Sequence, residues 1–257
     1  MQRSSCVPAV MLAAAALACS DSPAGPEGQG TVVFQLATTG SGATASSALS
    51  PSLSVSVTRG ADVIVIEDVQ LVARKIKLES EDAACEDDES EVAGAESDED
   101  CPELKLGPLL LDPPLNDGAE TEFLVTLPAG SYDELQLQIH KPTSTGADQA
   151  FVLANPDFAG ISIRVTGTRN GAPFTFTTDL TQVIEIELND PIVVVADGET
   201  ALTLLLDVRG WFLGQGGGTL LNPLNLTQED RSRIEHNIQQ SFHAFEDEDH
   251  DGDDDTD

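Results

Sequence analysis

Residues 62–78 read DVIVIEDVQLVARKIKL, a run too apolar for a loop and wrongly spaced for a helix. Apolar side chains recur at every second position, the period of a strand, but the phase slips twice: Ile64 and Ile66, then Val69 and Leu71, then Ile76 and Leu78. A slip of one residue would turn the apolar set to the opposite face unless a bulge absorbs it. The stretch therefore predicts two successive strands or one bulged strand, and in either case a β-rich domain.

The flanking sequence repeats the signal. Residues 31–36 (TVVFQL) are strand-like, and 52–57 alternate strictly, with Leu53, Val55 and Val57 opposite serines. Residues 122–127 and 132–139 flank Pro128-Ala129-Gly130, a turn, which makes Tyr132 a corner residue. Residues 161–168 and 173–178 flank Asn170-Gly171, a strong hairpin signal. Residues 183–188, 192–195 and 201–208 complete the set, the last two joined across Asp197-Gly198. No helix falls between these runs to serve as the crossover of a parallel α/β sheet. The expected fold is mostly β, an antiparallel two-sheet sandwich of immunoglobulin-like or transthyretin-like type with one C-terminal helix. That helix follows the flexible link 214–218. Thr227-Gln228-Glu229-Asp230 resembles a capping box, and Ile234, Ile238, Phe242 and Phe245 fall on one side at helical spacing, so the helix is expected to lie against the sandwich.

The N-terminus reads as an export signal. Arg3 gives a positive start, 7–18 is an Ala-rich apolar run too short to span a bilayer, and small Ala18 precedes Cys19. Ala16-Leu17-Ala18-Cys19 resembles a lipobox, although a larger aliphatic is commoner where Ala16 stands. The expectation is lipidation at Cys19 and export to the cell envelope. Ser20, where an aspartate would resemble an inner-membrane retention signal, favours the outer membrane. Stable anchoring needs more than one acyl chain, which a triacylated cysteine provides. Cys6 leaves with the signal, so Cys85 and Cys101 remain as an even pair in an oxidising compartment. Thiolate metal ligation is the rival reading, but two cysteines with no His or CxxC partner make a poor zinc site. A disulfide is favoured and would contribute about 3 kcal/mol by closing a short loop.

With 12 Lys+Arg against 45 Asp+Glu the net charge is −33, which disfavours nucleic acid and anionic surfaces as partners. The charge is concentrated: 79–103 holds 13 acidic residues and 246–257 holds nine, so these two segments carry 22 of the 45. The expected order is a signal peptide at 1–18, a tether at 19–30, a sandwich at 31–212 with an acidic insert at 79–103, a linker and helix at 213–245, and a disordered acidic tail at 246–257.

Catalytic motifs are absent: no GxSxG, no HExxH, no P-loop, and no GxGxxG after a strand. His140 is placed on a strand; His236 and His243 are read as solvated helix residues two turns apart, too far for an i, i+4 metal pair; His250 lies in the tail. The residues from Asp247 to Asp253 match the first half of a calcium loop, with Asp247, Asp249, Asp251, Asp253 and Asp255 as candidate ligands and Gly252 for the sharp turn. The twelfth-position carboxylate of such a loop lies past the final residue, so a solvated acidic run competes with weak calcium binding. A carbohydrate-binding face would need exposed rings. The chain has one Trp, one Tyr and nine Phe, and Trp211, directly after a strand, is as well suited to packing under the helix.

Taken together, 62–79, the acidic Cys-containing insert, LPAGSY at 127–132, SIRVTG at 162–167, DVRGWF at 207–212, Asn237-Ile238 and SFHAFED at 241–247 form a pattern. It resembles a group of β-sandwich bacterial lipoproteins filed under a domain of unknown function, common in soil bacteria of the Gemmatimonadota type. The resemblance implies export and a sandwich related to carbohydrate-binding-like or transthyretin-like modules. It implies no activity and no catalytic residues. The resulting expectation is a non-catalytic envelope lipoprotein, a binding or structural module anchored in the lipid bilayer, with a carbohydrate-binding module as the alternative and calcium as the one cofactor to test.

Overall fold

A computed structural model of the chain describes residues 28–39, 54–80, 103–115 and 119–247, with the side chains of 103–106 excepted. Its strands are β1 (Gln29–Thr38), β2 (Val55–Arg59), β3 (Asp62–Glu79), β4 (Glu103–Leu111), β5 (Glu120–Pro128), β6 (Gly130–Ile139), β7 (Ile163–Arg169), β8 (Ala172–Thr178), β9 (Gln182–Val194), β10 (Glu199–Leu206) and β11 (Phe242–Glu246). The helices are α1 (Gln149–Ala154) and α2 (Gln228–Gln239). A four-stranded sheet, β11-β10-β1-β5, packs on a seven-stranded one in which β8-β7-β3-β6-β9 forms the path and β2 and β4 also pair with β3. The fold is a mostly β two-sheet sandwich. Every pairing is antiparallel except β1 with β10, which is parallel.

The stretch at 62–79 is one bulged strand of 18 residues. Its ladder shifts register between Ile66 and Asp68 and again between Ala73 and Lys75, where the sequence changes phase. The bulges keep Ile64, Ile66, Val69, Leu71, Ala73, Ile76 and Leu78 all in the core. They also let the strand change partners: its first half pairs with β2 and β7, its second with β4 and β6. Gly167 faces Ile66 at the first bulge, where a Cβ would collide with the Val65 carbonyl, so only glycine fits that close approach.

Two turns carry the chain between sheets. Pro128-Ala129-Gly130 takes it from β5 in the four-stranded sheet to β6 in the other, and the buried Tyr132 braces this corner by donating from its hydroxyl to the Pro128 carbonyl at 2.8 Å. Asp197-Gly198 takes it back from β9 to β10, which is why β10 arrives parallel to β1. By contrast, Asn170 (φ 50°) and Gly171 (φ 81°) make a true hairpin turn of β7 and β8, the two left-handed residues that a type I′ turn requires.

Several expectations are corrected. Residues 183–188 and 192–194 belong to one strand, β9, with Val195 just past its end; its register shift against β6 lies between Tyr132 and Glu134. β4 has no counterpart in the sequence reading: Gly107 (φ 65°) and Pro108 argue against a strand there, yet both sit in the bulge opposite Arg74, where no ladder bond needs the missing proline N–H. α1 is a second, short helix with no buried residue and hence no amphipathic signal. α2 stops at Gln239 instead of continuing to Phe245, and 242–246 pair with β10 as β11. His140 lies just past the end of β6.

The core joins both sheets and α2: Val32, Phe34, Leu36, Leu202 and Leu204 face Ile66, Leu71, Leu135, Leu137 and Ile186, with Trp211, Ile234 and Ile238 closing one end. Full burial of each such side chain is worth about 1.5–3 kcal/mol.

The strand directions give the sandwich two ends. Gln29, Glu199 and Glu246 lie at one, because β1 and β10 start there and β11 finishes there. The Ala129 N–H donates to the Gly28 carbonyl at 3.0 Å, which brings the start of β6 to the same end, and with it Glu79, paired with Glu134, and Glu103, paired with Lys77. The described residues adjoining 1–27, 81–102 and 248–257 thus gather at the Gly28 end. Thr38, Leu206 and Phe242 mark the other, about 25 Å away across eight paired rows at about 3.3 Å each.

Candidate cleft at the Asp207 end

Beyond β10 the chain turns through Val208–Gly210 and buries Trp211 and Phe212. The Trp211 indole N–H donates to the Ser241 hydroxyl at 2.8 Å, and Ser241 in turn donates to the Ile238 carbonyl at 2.7 Å. Trp211 is 0 % exposed, so it is packing under the helix and has no ring face to offer a sugar. Phe212 meets Phe174 and Phe176 edge-on, locking this segment to β8.

The helix that follows is used on three sides. Thr227 and Asp230 form a reciprocal capping box at its start (3.1 and 3.0 Å), as the sequence predicts. Ile234 and Ile238 enter the core. Arg231 donates to the Thr177 carbonyl at 2.7 Å and lies over the Phe176 ring, while Glu235 accepts from the Thr178 hydroxyl at 2.8 Å, so the i, i+4 pair grips β8. The remaining face, Arg233, His236, Asn237 and Gln240 at i, i+3, i+4 and i+7, looks into a cleft of about 390 Å³.

The far wall of the cleft is the glycine segment 214–217, in which Gly216 (φ 74°) and Gly217 (φ 71°) are both left-handed, a conformation glycine adopts without strain. Arg59, on the β2–β3 hairpin, fixes this segment by donating to the Gly217 carbonyl at 2.8 Å. Asn237 fixes its root: its amide nitrogen lies 3.2, 3.1 and 2.9 Å from the carbonyls of Gly210, Trp211 and Leu213. Asp207 is the acidic side chain lining the cleft. Burial pushes its carboxyl up, but hydrogen bonds from Arg209 (2.8 and 3.2 Å) and Thr39 (2.8 Å) outweigh this and hold it below the usual carboxylate range.

His236 and His243 both line this cleft, one from α2 and one from β11. Sequence spacing set them on one continuous helix; the break at Gln240 and Ser241 brings them to one opening by another route. Arg233 was not legible as a site residue from the sequence, although its face is recognisable as the polar complement of Ile234 and Ile238.

The buried histidine is His140, whose Nε2 lies 2.9 Å from Asp148 Oδ2. Burial pushes the Asp148 carboxyl up, and the Thr143 N–H (2.9 Å), His140 and the Thr143 hydroxyl (3.2 Å) more than offset it, leaving the pKa lowered. The Thr143 hydroxyl faces the carboxylate and not the imidazole, so the trio lacks the nucleophile–base–acid order of a hydrolase. It staples the segment after β6 to the start of α1.

Of the candidate ligands in the tail, Asp247 lies within the described residues. It is fully buried at the end of β11, and its carboxylate accepts from the Thr203 hydroxyl at 2.9 Å, so it works as part of the sheet. Cys19, Cys85, Cys101, Asp249, Asp251, Asp253 and Asp255 lie outside the described residues. Among the described residues no group of three His, Cys, Asp or Glu side chains is arranged to hold a metal ion, and no helix is long and apolar enough to cross a membrane. No family model, curated protein or solved structure matches the chain.

Proposed function

We propose that the protein is a non-catalytic lipoprotein of the cell envelope, exported, anchored through acylated Cys19, and serving as a binding module whose working surface is the cleft beside α2. The observation that carries this reading is the opposition of the two ends. The residue adjoining the N-terminal segment, Gly28, and the cleft around Asp207 are separated by the full length of β1 and β10. An anchor on one side of that axis leaves the cleft facing away from the bilayer. The outer membrane is the proposed site. The use of His140 and Asp148 to hold a loop supports a module without catalysis.

A disulfide between Cys85 and Cys101 fits the same scheme, because Glu103 pairs with Lys77 and the two ends of the acidic insert therefore start side by side. Carbohydrate binding stays as the second reading, with the cleft and not Trp211 as its seat. Mass spectrometry of the membrane fraction tests the anchor. Cys19 is expected as the acylated N-terminus with Cys85 and Cys101 joined; an unmodified Cys19 in a soluble periplasmic product would overturn the proposal.

A further inference from the structure

The basic residues of this chain are few, and the structure accounts for nearly all of those it describes. Lys77 pairs with Glu79, Lys141 with Asp179, Arg164 with Asp157, Arg169 with Asp62 and Arg209 with Asp207. Arg59 and Arg231 are bound to backbone carbonyls. Arg74 and Lys75 also have partners. Arg233 forms no hydrogen bond or ion pair among the described residues, although the chain carries 45 carboxylates to 12 basic side chains. It is half-buried in the wall of the cleft, three residues before His236 on α2, and His243 lines the same opening. The acid of the cleft, Asp207, is already neutralised by Arg209.

From this arrangement we infer that the cleft binds a small polyhydroxylated carboxylate, an acidic monosaccharide in size and chemistry, with Arg233 receiving the carboxylate. A guanidinium presents parallel N–H donors that match the two oxygens of a carboxylate, and in a partly desolvated wall that pairing is stronger than at an open surface. His236 and His243 add ring nitrogens, and Gln240 adds an amide that can both donate to and accept from hydroxyl groups. A cleft of about 390 Å³ lies at the small end of the range for ligand pockets, about 300–1,000 Å³, which suits one sugar ring. The inference rests on the reading of this cleft as the working surface and adds the class of its ligand.

Isothermal titration of the full chain with D-glucuronate and with D-glucose, repeated on Arg233→Glu and Arg233→Lys, tests it. Saturable binding of glucuronate, at least tenfold tighter than glucose, is expected. Arg233→Glu should abolish it and Arg233→Lys should retain part of it, with the thermal midpoint of both variants unchanged because Arg233 has no partner to lose among the described residues. Equal binding of the two sugars, or glucuronate binding that survives Arg233→Glu, overturns the carboxylate assignment while sparing the cleft. Silence toward both sugars overturns the inference and the cleft as a saccharide seat together; Cys19 acylation is read independently of either result.

Discussion

Asp148 shows how much one side chain can settle in this fold. Its Oδ2 gathers His140 and both donors of Thr143, and the resulting pKa is lowered despite burial. A carboxyl whose folded pKa is depressed stabilises the fold at every pH above its unfolded value and loses that contribution as pH falls through the folded value. Stability supplied here is therefore complete above about pH 4, the ordinary carboxylate value, and drains away below it. Asp148→Asn should lower stability at neutral pH by about 1–3 kcal/mol, the cost of leaving buried donors poorly paired. Chemical denaturation at pH 7 and pH 3 measures both arms. The gap between wild type and variant should shrink at the lower pH; a gap of constant size would show that the carboxylate charge is not what stabilises the loop.

Elements were legible where one rule governed them and obscure where two rules agreed on different answers. The phase slips of β3 and the Asn170-Gly171 turn follow from period and backbone sterics alone, and the structure has both as read. Phe242 is different. It stands four residues after Ile238, as a longer helix would need, and two before Ala244, as a strand would need, and the pairing with β10 decides the matter. The cleft was hidden for the same reason, since it exists only because α2 ends before His243. A chain ending at Gln240 should expose this dependence. It removes Phe242 and Ala244 from the core and Ser241 from the Trp211 indole, leaving β10 as an open edge. A loss of more than about 3 kcal/mol is expected from the phenylalanine alone. A chain ending at Asp247 should melt within about 0.5 kcal/mol of the full one, because 248–257 (EDHDGDDDTD) has no apolar side chain to contribute to a core. Thermal melts followed by circular dichroism compare the two; equal midpoints would show that β11 contributes nothing.

At the scale of the molecule, the described residues flanking the two acidic segments and the proposed anchor share one end of the sandwich. Residues adjoining the N-terminal segment, the acidic insert and the acidic tail meet at the Gly28 end, where Glu134 already has its pKa raised by burial and by Glu79, Glu185 and Asp133. The N-terminal segment and the acidic tail stand at opposite ends of the sequence, yet the described residues adjoining them lie at one end of the sandwich because β11 runs back along β10. Calcium titration of the full chain tests the tail as a cation site now that Asp247 is committed to the sheet: heat that disappears when 248–257 are removed would support it, and the absence of tail-dependent heat would end the calcium reading. The placement of β1 has a mechanical consequence as well. The strand nearest the proposed anchor is an interior strand, held on one side by β10 and on the other by β5. Drag on the domain would pull β1 along its own axis, loading both ladders in shear at once instead of peeling one edge row by row. Held through such a strand by the proposed anchor, the sandwich would stay folded under tension.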